Sequence, residues 1–257
     1  MVYITGDCHA DFHRFSVKNF PDQKEMTRED FVIICGDFGG VWTKGKSSKE
    51  EKWWLDWLGI KPFTVVFVDG NHENFDRLFG DEFPVVDFCG GRAHKIRDNV
   101  YHLIRGYVYE FCGKKFWAFG GASSHDIRHG ILDRDRFRSD EEFIETVKKW
   151  ERDGREFRIN HLSWWEEELP TQREMNFGCE QLDAHDNEVD YIITHCAPQH
   201  VASVLSRGEY IPDSLTSFFN VISESVRFHR WFFGHYHIEG RLMDGYFALY
   251  RSIIRIE

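Results

Sequence analysis

Hydrophobic positions along the chain fall in short unbroken runs, and most of these runs stop at glycine, aspartate or histidine. Val2–Thr5 stops at Gly6, Phe31–Cys35 at Gly36, and Phe63–Val68 runs into Asp69-Gly70. Phe116–Phe119 leads to Gly120-Gly121, Tyr191–Thr194 to His195, and Trp231–Phe233 to Gly234. Runs that are apolar throughout predict strands buried on both faces. Polar groups gathered at strand ends are where an α/β sheet presents its site.

Helices are predicted between the runs. Ser48 with Glu51 has the form of a capping box ahead of Trp53, Trp54, Leu55, Trp57 and Leu58. Ser139 with Glu142 repeats it ahead of Phe143, Val147 and Trp150, and Thr171 with Glu174 starts a third helix. Leu215, Phe218, Phe219, Ile222 and Val226 mark the apolar face of a fourth. From His94 to Phe119 apolar and polar residues alternate, which predicts antiparallel hairpins with Gly106 and Gly113 at turns or bulges. Tyr246 to Ile256 predicts a last pair of strands. Residues 123–190 are the most charged and least sheet-like. They are expected to form a helical or loop elaboration on one domain spanning 1–257.

Composition narrows the class. A hydrophobic fraction of 42% supports a sizeable core and argues against disorder. Lys plus Arg is 32 against 43 for Asp plus Glu, a formal charge of -11. Such a surface repels a long phosphate backbone, so no extended nucleic-acid surface is expected. A phosphate at one site stays compatible, because bound cations supply local positive charge. The six cysteines form no CxxC pair and are expected as reduced, mostly buried thiols. No uncharged run is long enough to span a bilayer, and no basic segment with an apolar stretch opens the chain. The expected location is cytoplasmic, without a membrane partner.

The strand-end segments carry the chemistry. In Gly6-Asp7-Cys8-His9, Asp7 and His9 are two positions apart, so strand geometry would put both on one side and turn Cys8 away. Asp37, within Gly36-Asp37-Phe38-Gly39-Gly40, offers a carboxylate that can bridge two cations, and the glycines let backbone pass close to ions and phosphate. Gly70-Asn71-His72-Glu73 adds a neutral amide oxygen and leaves His72 as proton donor or phosphate partner. Glu73 is expected either as a helix-start residue or beside His72, and Asp69 as a residue that orients a ligand. Thr194-His195-Cys196 and Gly234-His235-Tyr236-His237 complete the set, with His235 and His237 pointing together or diverging if the backbone turns. Singly, each segment has an ordinary reading as a turn, a cap or a core histidine. Together their oxygen and nitrogen donors are the inventory of two divalent ions with shared oxygen ligation.

These five blocks, in this order from residue 6 to residue 237, resemble the calcineurin-like metallophosphoesterase superfamily. The resemblance implies a four-layer α/β/β/α sandwich. It assigns Asp7, His9, Asp37 and His237 to one metal, and Asp37, Asn71, His195 and His235 to a second, with Asp37 bridging. It makes His72 a non-ligand histidine that meets the substrate and protonates the leaving oxygen, and the reaction hydrolysis of a phosphate ester by a metal-activated water. The protein-phosphatase branch follows its second block with a further aspartate and an arginine, whereas this chain has Phe38-Gly39-Gly40-Val41-Trp42. That departure moves the expectation from a serine/threonine protein phosphatase toward a phosphodiesterase or broad phosphoesterase. A nuclease acting on short nucleic-acid ends, a phosphomonoesterase and a non-catalytic interaction scaffold are the alternatives. Oxygen and imidazole donors suit Mn²⁺, the expected pair, and also Fe, Zn²⁺, Ni²⁺ or Co²⁺. Ser123, Ser124, His125, Arg128 and His129 either line the substrate side, with Arg128 on phosphate, or form a solvated loop with local salt bridges.

Overall fold

In the computed structural model, which describes residues 1–208 and 210–256, every one of the unbroken apolar runs forms a parallel strand. β1 (Val2–Thr5), β2 (Phe31–Ile34) and β3 (Thr64–Phe67) lie side by side, with Val2 opposite Phe31 and Phe31 opposite Thr64. β4 (Val85–Phe88), β5 (Gly91–Arg97) and β6 (Val100–Leu103) extend this sheet, β6 parallel to β3, β5 antiparallel to β6 and β4 antiparallel to β5. The second sheet is built from β7 (Val108–Phe111), β8 (Lys114–Phe119), β11 (Tyr191–Thr194), β12 (Arg230–Phe233), β13 (Gly240–Met243) and β14 (Tyr246–Ala248). β15 (Ile254–Ile256) returns to the first sheet, antiparallel to β1, making seven strands there against six in the second.

Three apolar layers follow from strand alternation. Val2, Ile4, Ile33 and Val66 face Phe116, Tyr191, Ile193 and Phe232 between the two sheets. On the outer side of the first sheet, Tyr3, Val32, Ile34 and Val65 pack on Phe12, Phe15, and on Leu55 and Leu58 of α1 (Lys49–Gly59). The outer side of the second sheet presents Trp117, Ile192, Trp231 and Phe233 to α4 (Gln172–Asp183), α5 (Gln199–Leu205) and α6 (Ser214–Ser225). Helix, sheet, sheet, helix is the four-layer sandwich. α2 (Phe75–Leu78) is a single turn after β3. α3 (Asp140–Arg152) and the short parallel pair β9 (Ile131–Leu132) and β10 (Arg158–Ile159) occupy the charged 123–190 stretch, where α3 buries no residue.

Local expectations are met unevenly. Thr171 and Glu174 form a reciprocal capping box. Ser48 and Ser139 cap their helices through one arm, because Glu51 turns instead to Thr43 and Arg77, and Glu142 accepts from the backbone N–H of Arg138. Cys112 and Gly113, both left-handed, make the β7–β8 hairpin turn. Gly106, left-handed as well, makes a turn in the link that carries the chain from one sheet to the other, packed on Gly178, where a Cβ would come within 2.9 Å of its Cα. The C-terminal strands do not pair with each other. β14 joins β12 and β15 joins β1, because Tyr246 and Ala248 belong to the outer core and Ile256 to the core between the sheets.

Candidate metal centre

The parallel strands of both sheets deliver their C-terminal ends to one place, and the backbone there turns sharply. His9, Asp37, His235 and His237, four of the seven expected ligands, have φ between 47° and 68°. Non-glycine residues in this region are strained and persist where surrounding structure holds them. The holding contacts are visible: Cys8 and His9 donate their backbone N–H groups to the Asp37 carbonyl at 3.0 and 2.8 Å. Arg14 Nη2 donates to the Asp7 carbonyl at 2.5 Å while Nη1 reaches Thr5 and Tyr250. Thus Asp7 and His9 converge through a left-handed turn beyond β1, not through strand alternation as expected. Cys8 turns away into the core as expected, and burial pushes its thiol up to about 12.

Two glycines leave room for the converging side chains. A Cβ on Gly70 would stand 2.1 Å from Asp37 Oδ1 and 2.8 Å from His195 Nε2, and one on Gly234 would stand 2.1 Å from Asp7 Oδ1. The space a side chain would take is the cradle of the site.

On one side, His237 Nε2 lies 3.1 Å from Asp7 Oδ2 and 3.1 Å from His9 Nε2. His9 Nε2 is in turn 3.7 Å from Asp7 Oδ2 and 3.6 Å from Asp37 Oδ2. Donor atoms each about 2.1 Å from a common cation adopt separations of this size. The carboxylates are aimed by backbone: His235 N–H donates to Asp7 Oδ1 at 2.9 Å, and His72 N–H to Asp37 Oδ1 at 2.9 Å.

Asp37 also faces the other side. His195 Nδ1 meets the Cys35 carbonyl at 2.7 Å, which requires the ring proton there. Its Nε2 is then the ligating nitrogen, and it sits 3.2 Å from Asp37 Oδ1 in a geometry too bent for a hydrogen bond. Without a cation the pair is accommodated by ionisation. Burial opposes charge on both, but their mutual attraction prevails, holding the Asp37 carboxyl well below its usual range and raising His195 to about 9. Asn71 Oδ1 is buried with no hydrogen-bond partner among the described residues, while its Nδ2 reaches Ser124 Oγ at 3.4 Å. A buried amide oxygen left unpaired costs stability unless something positive meets it. The His235 ring meets His195 edge-on at 4.9 Å between ring centroids and lies tilted beside His125 at 4.4 Å, so His235 and His237 diverge to opposite sides. Burial keeps the His235 ring neutral, its pKa well below 6.5. Asp7-His9-His237 and Asp7-Asp37-His195 are each grouped closely enough to hold one ion, so the residues fit a dinuclear centre.

His72 is half-buried beside His9, within ligating reach of His9 and Asp37. Its Nε2 lies 3.2 Å from Arg158 Nη2. A guanidinium only donates, so this nitrogen accepts and the ring is neutral; burial, with Arg158 adding to it against Asp37, pushes its pKa down to about 4.

Several supporting roles differ from expectation. Glu73 is fully buried and accepts the N–H groups of Phe38 at 2.7 Å and Gly39 at 3.3 Å, shaping the loop after Asp37, and among the described residues its carboxylate makes no hydrogen bond to the His72 ring. Burial and the Asp37 charge push its carboxyl well above the usual range. Asp69 orients no ligand: it is bound by Arg105 at 2.5 and 3.0 Å and by His102 at 3.0 Å. Arg128 is a solvated residue, 80% exposed and paired with Glu156. The guanidinium at the site is Arg158, only 8% exposed and fixed by Asp126 at 2.6 Å and the Ser163 carbonyl at 2.9 Å. Ser123 and His125 line a cavity of about 780 Å³ on the His235 side, together with Tyr210, Asp213 and Tyr236. A second cavity, of about 410 Å³, opens at His9 and His72.

Among the described residues, no helix is long and apolar enough to cross a membrane. Comparison with known proteins finds lariat debranching enzyme A of Xenopus laevis similar to this chain, 26% identical over 152 residues. That similarity covers 54% of this chain and 27% of the Xenopus protein, so the chain matches about a quarter of that relative's length. The family described as calcineurin-like phosphoesterase matches residues 1–239, from the first strand past the last histidine of the site. On that match, with the fold and the clustered donors behind it, the chain belongs to the calcineurin-like phosphoesterases.

Proposed function

We propose that this phosphoesterase is a phosphodiesterase whose two cations share Asp37. Asp7, His9 and His237 would complete the first ligand set; Asn71, His195 and His235 would complete the second. Mn²⁺ is the expected pair, since every donor is an oxygen or imidazole nitrogen. When bound, the cations would supply Lewis acidity toward the phosphate oxygens and acidify a water.

The observation that carries the diester reading is the pair of cavities flanking the donors. One opens at His9 and His72, the other at His125 beside His235. A phosphate held between them has room for an ester substituent on each side, and a monoester would leave one side unused. Arg158, fixed in place and facing His72, is assigned to the phosphate oxygens. His72 is assigned to the leaving oxygen. The resting ring is neutral, and the negative charge of an arriving phosphate favours its protonated form. Residues 123–190 are read as an elaboration of a single domain that brings Arg158 to the site. Six free thiols fit a reducing, cytoplasmic setting.

One observation favours a second reading, a nuclease acting on short nucleic-acid ends: the likeness to a protein named for lariat debranching. Mn²⁺ reconstitution followed by matched monoester, diester, cyclic-nucleotide and oligonucleotide assays separates the readings. The diester reading predicts the highest kcat/KM on a small diester. Faster monoester turnover contradicts it, and faster oligonucleotide turnover selects the nuclease. Replacing His72 by Ala should slow diesters with poor leaving groups most and spare those with acidic ones; equal losses would leave His72 with phosphate positioning alone.

A further inference from the structure

The cavity of about 410 Å³ at His9 and His72 is apolar and aromatic where the rest of the site is polar. Phe12, Trp42 and Trp54 line it, together with Gly39 and Gly40. Its size falls within the range of roughly 300–1,000 Å³ typical of small-ligand sites. We propose that this cavity is the substrate's ring subsite, which takes a planar, uncharged aromatic group of nucleobase size carried on the phosphate ester. The proposal rests on the phosphodiesterase reading and names the class of one ester substituent.

Charge decides against a second phosphate there. Among the described residues no Lys or Arg lines the cavity, and its charged members are both acidic, Glu50 and Glu51. A further anion would be repelled, whereas a neutral ring gains apolar contact and meets an acceptor for its N–H groups in the exposed Glu50. The aromatic wall is joined directly to the reacting residues, since the Trp42 ring lies 5.8 Å from the His72 ring. A group stacked on Trp42 therefore stands beside the residue assigned to the leaving oxygen.

The wall is held in shape before any ligand arrives. Asn74 Nδ2 donates to the Trp42 and Thr43 carbonyls at 3.1 and 3.2 Å. Arg77, 5% exposed, donates to the Thr43 carbonyl at 3.0 Å, Ser47 Oγ at 2.8 Å and Glu51 Oε2 at 2.9 Å. Glu51 in turn accepts Thr43 Oγ1–H at 2.6 Å and the Trp42 N–H at 3.3 Å. Trp54 is fixed from behind by Phe12 and His13. A preformed aromatic slot loses little entropy when a flat ring enters it.

The test compares two diesters on Mn²⁺-loaded enzyme: the methyl ester of a nucleoside 5′-phosphate, and the same sugar phosphate ester without its base. Their phosphates and leaving oxygens are the same, so any difference belongs to the ring. Wild type should favour the base-bearing ester in kcat/KM by about 10-fold or more, the scale of one base stacked on an aromatic side chain. Trp42→Leu, which keeps an apolar wall but removes the ring face, should shrink that ratio toward one. Equal kcat/KM for the two esters in wild type overturns the subsite, and needs no variant to fold. So does a Trp42→Leu protein with an unchanged ratio. Hydrolysis of neither ester overturns the phosphodiesterase reading instead. Calorimetric binding of the same two esters then decides the subsite, tighter binding of the base-bearing one supporting it and equal affinity overturning it.

Discussion

Asp37 faces His9 with one carboxylate oxygen and His195 with the other, at 3.6 and 3.2 Å. The His72 N–H donated to Oδ1 fixes its angle. Asp37→Asn would replace one of those oxygens by an NH2 group that cannot ligate. We predict loss of metal from about two ions per chain and a fall in kcat/KM beyond the roughly 10–100-fold typical of residues that only support a ligand. Metal analysis with hydrolysis at saturating Mn²⁺ checks it, and wild-type values for both would contradict the bridging role. At this scale the donor residues were legible, because each ends an apolar run and few side chains can serve a hard cation. Their directions were not, since left-handed turns at His9, Asp37 and His235 bend side chains away from strand alternation. Arg158 was illegible too. It lies far along the chain among many charged residues, and only folding of the 123–190 stretch puts it against His72.

Short elements act here through pinned carboxylates. Glu168, 2% exposed, sits in a single 3-10 turn and accepts the Ser124 N–H at 2.9 Å, Ser124 Oγ–H at 2.7 Å and the Trp164 indole N–H at 2.9 Å. Burial pushes its carboxyl up to about 7 from 4.5 despite these donors. Between those two values the folded chain holds a proton that the unfolded chain has released. This contribution to stability is therefore full below pH 4.5 and is lost as pH rises through 7. Glu168→Gln mimics the protonated form. We predict that wild type loses about 3 kcal/mol relative to this variant between pH 4.5 and 8, read from urea unfolding of both proteins; a pH-independent difference would contradict it. The long helices and buried strands were legible from period and capping. β4 and α2, four residues each, carry too few positions for a pattern. The pairing of β15 was hidden for another reason: its partner strand opens the chain, and Ile256 meets Val2.

At the scale of the whole molecule, two sheets packed face to face bring strand ends from residues 6–9 and 234–237 into one cluster. That convergence gathers carboxylates and imidazoles into a buried space where, among the described residues, Asn71 Oδ1 finds no partner and His195 Nε2 no hydrogen bond. Cations that bind this folded arrangement and not the unfolded chain must stabilise it. Chelation should lower Tm by at least several degrees, since each kcal/mol corresponds to about 2–4 °C for a chain of this size. A Tm indifferent to Mn²⁺ and chelator alike would contradict the fit. Coverage of the strands on both faces was legible from the unbroken apolar runs, and the four-layer class from the resemblance that the strand-end blocks carry. The most direct test of the shared carboxylate is anomalous diffraction from crystals grown with Mn²⁺. Two peaks about 3.5–4 Å apart, with Asp37 between them, are predicted; one peak, or two that do not both contact Asp37, would contradict the account.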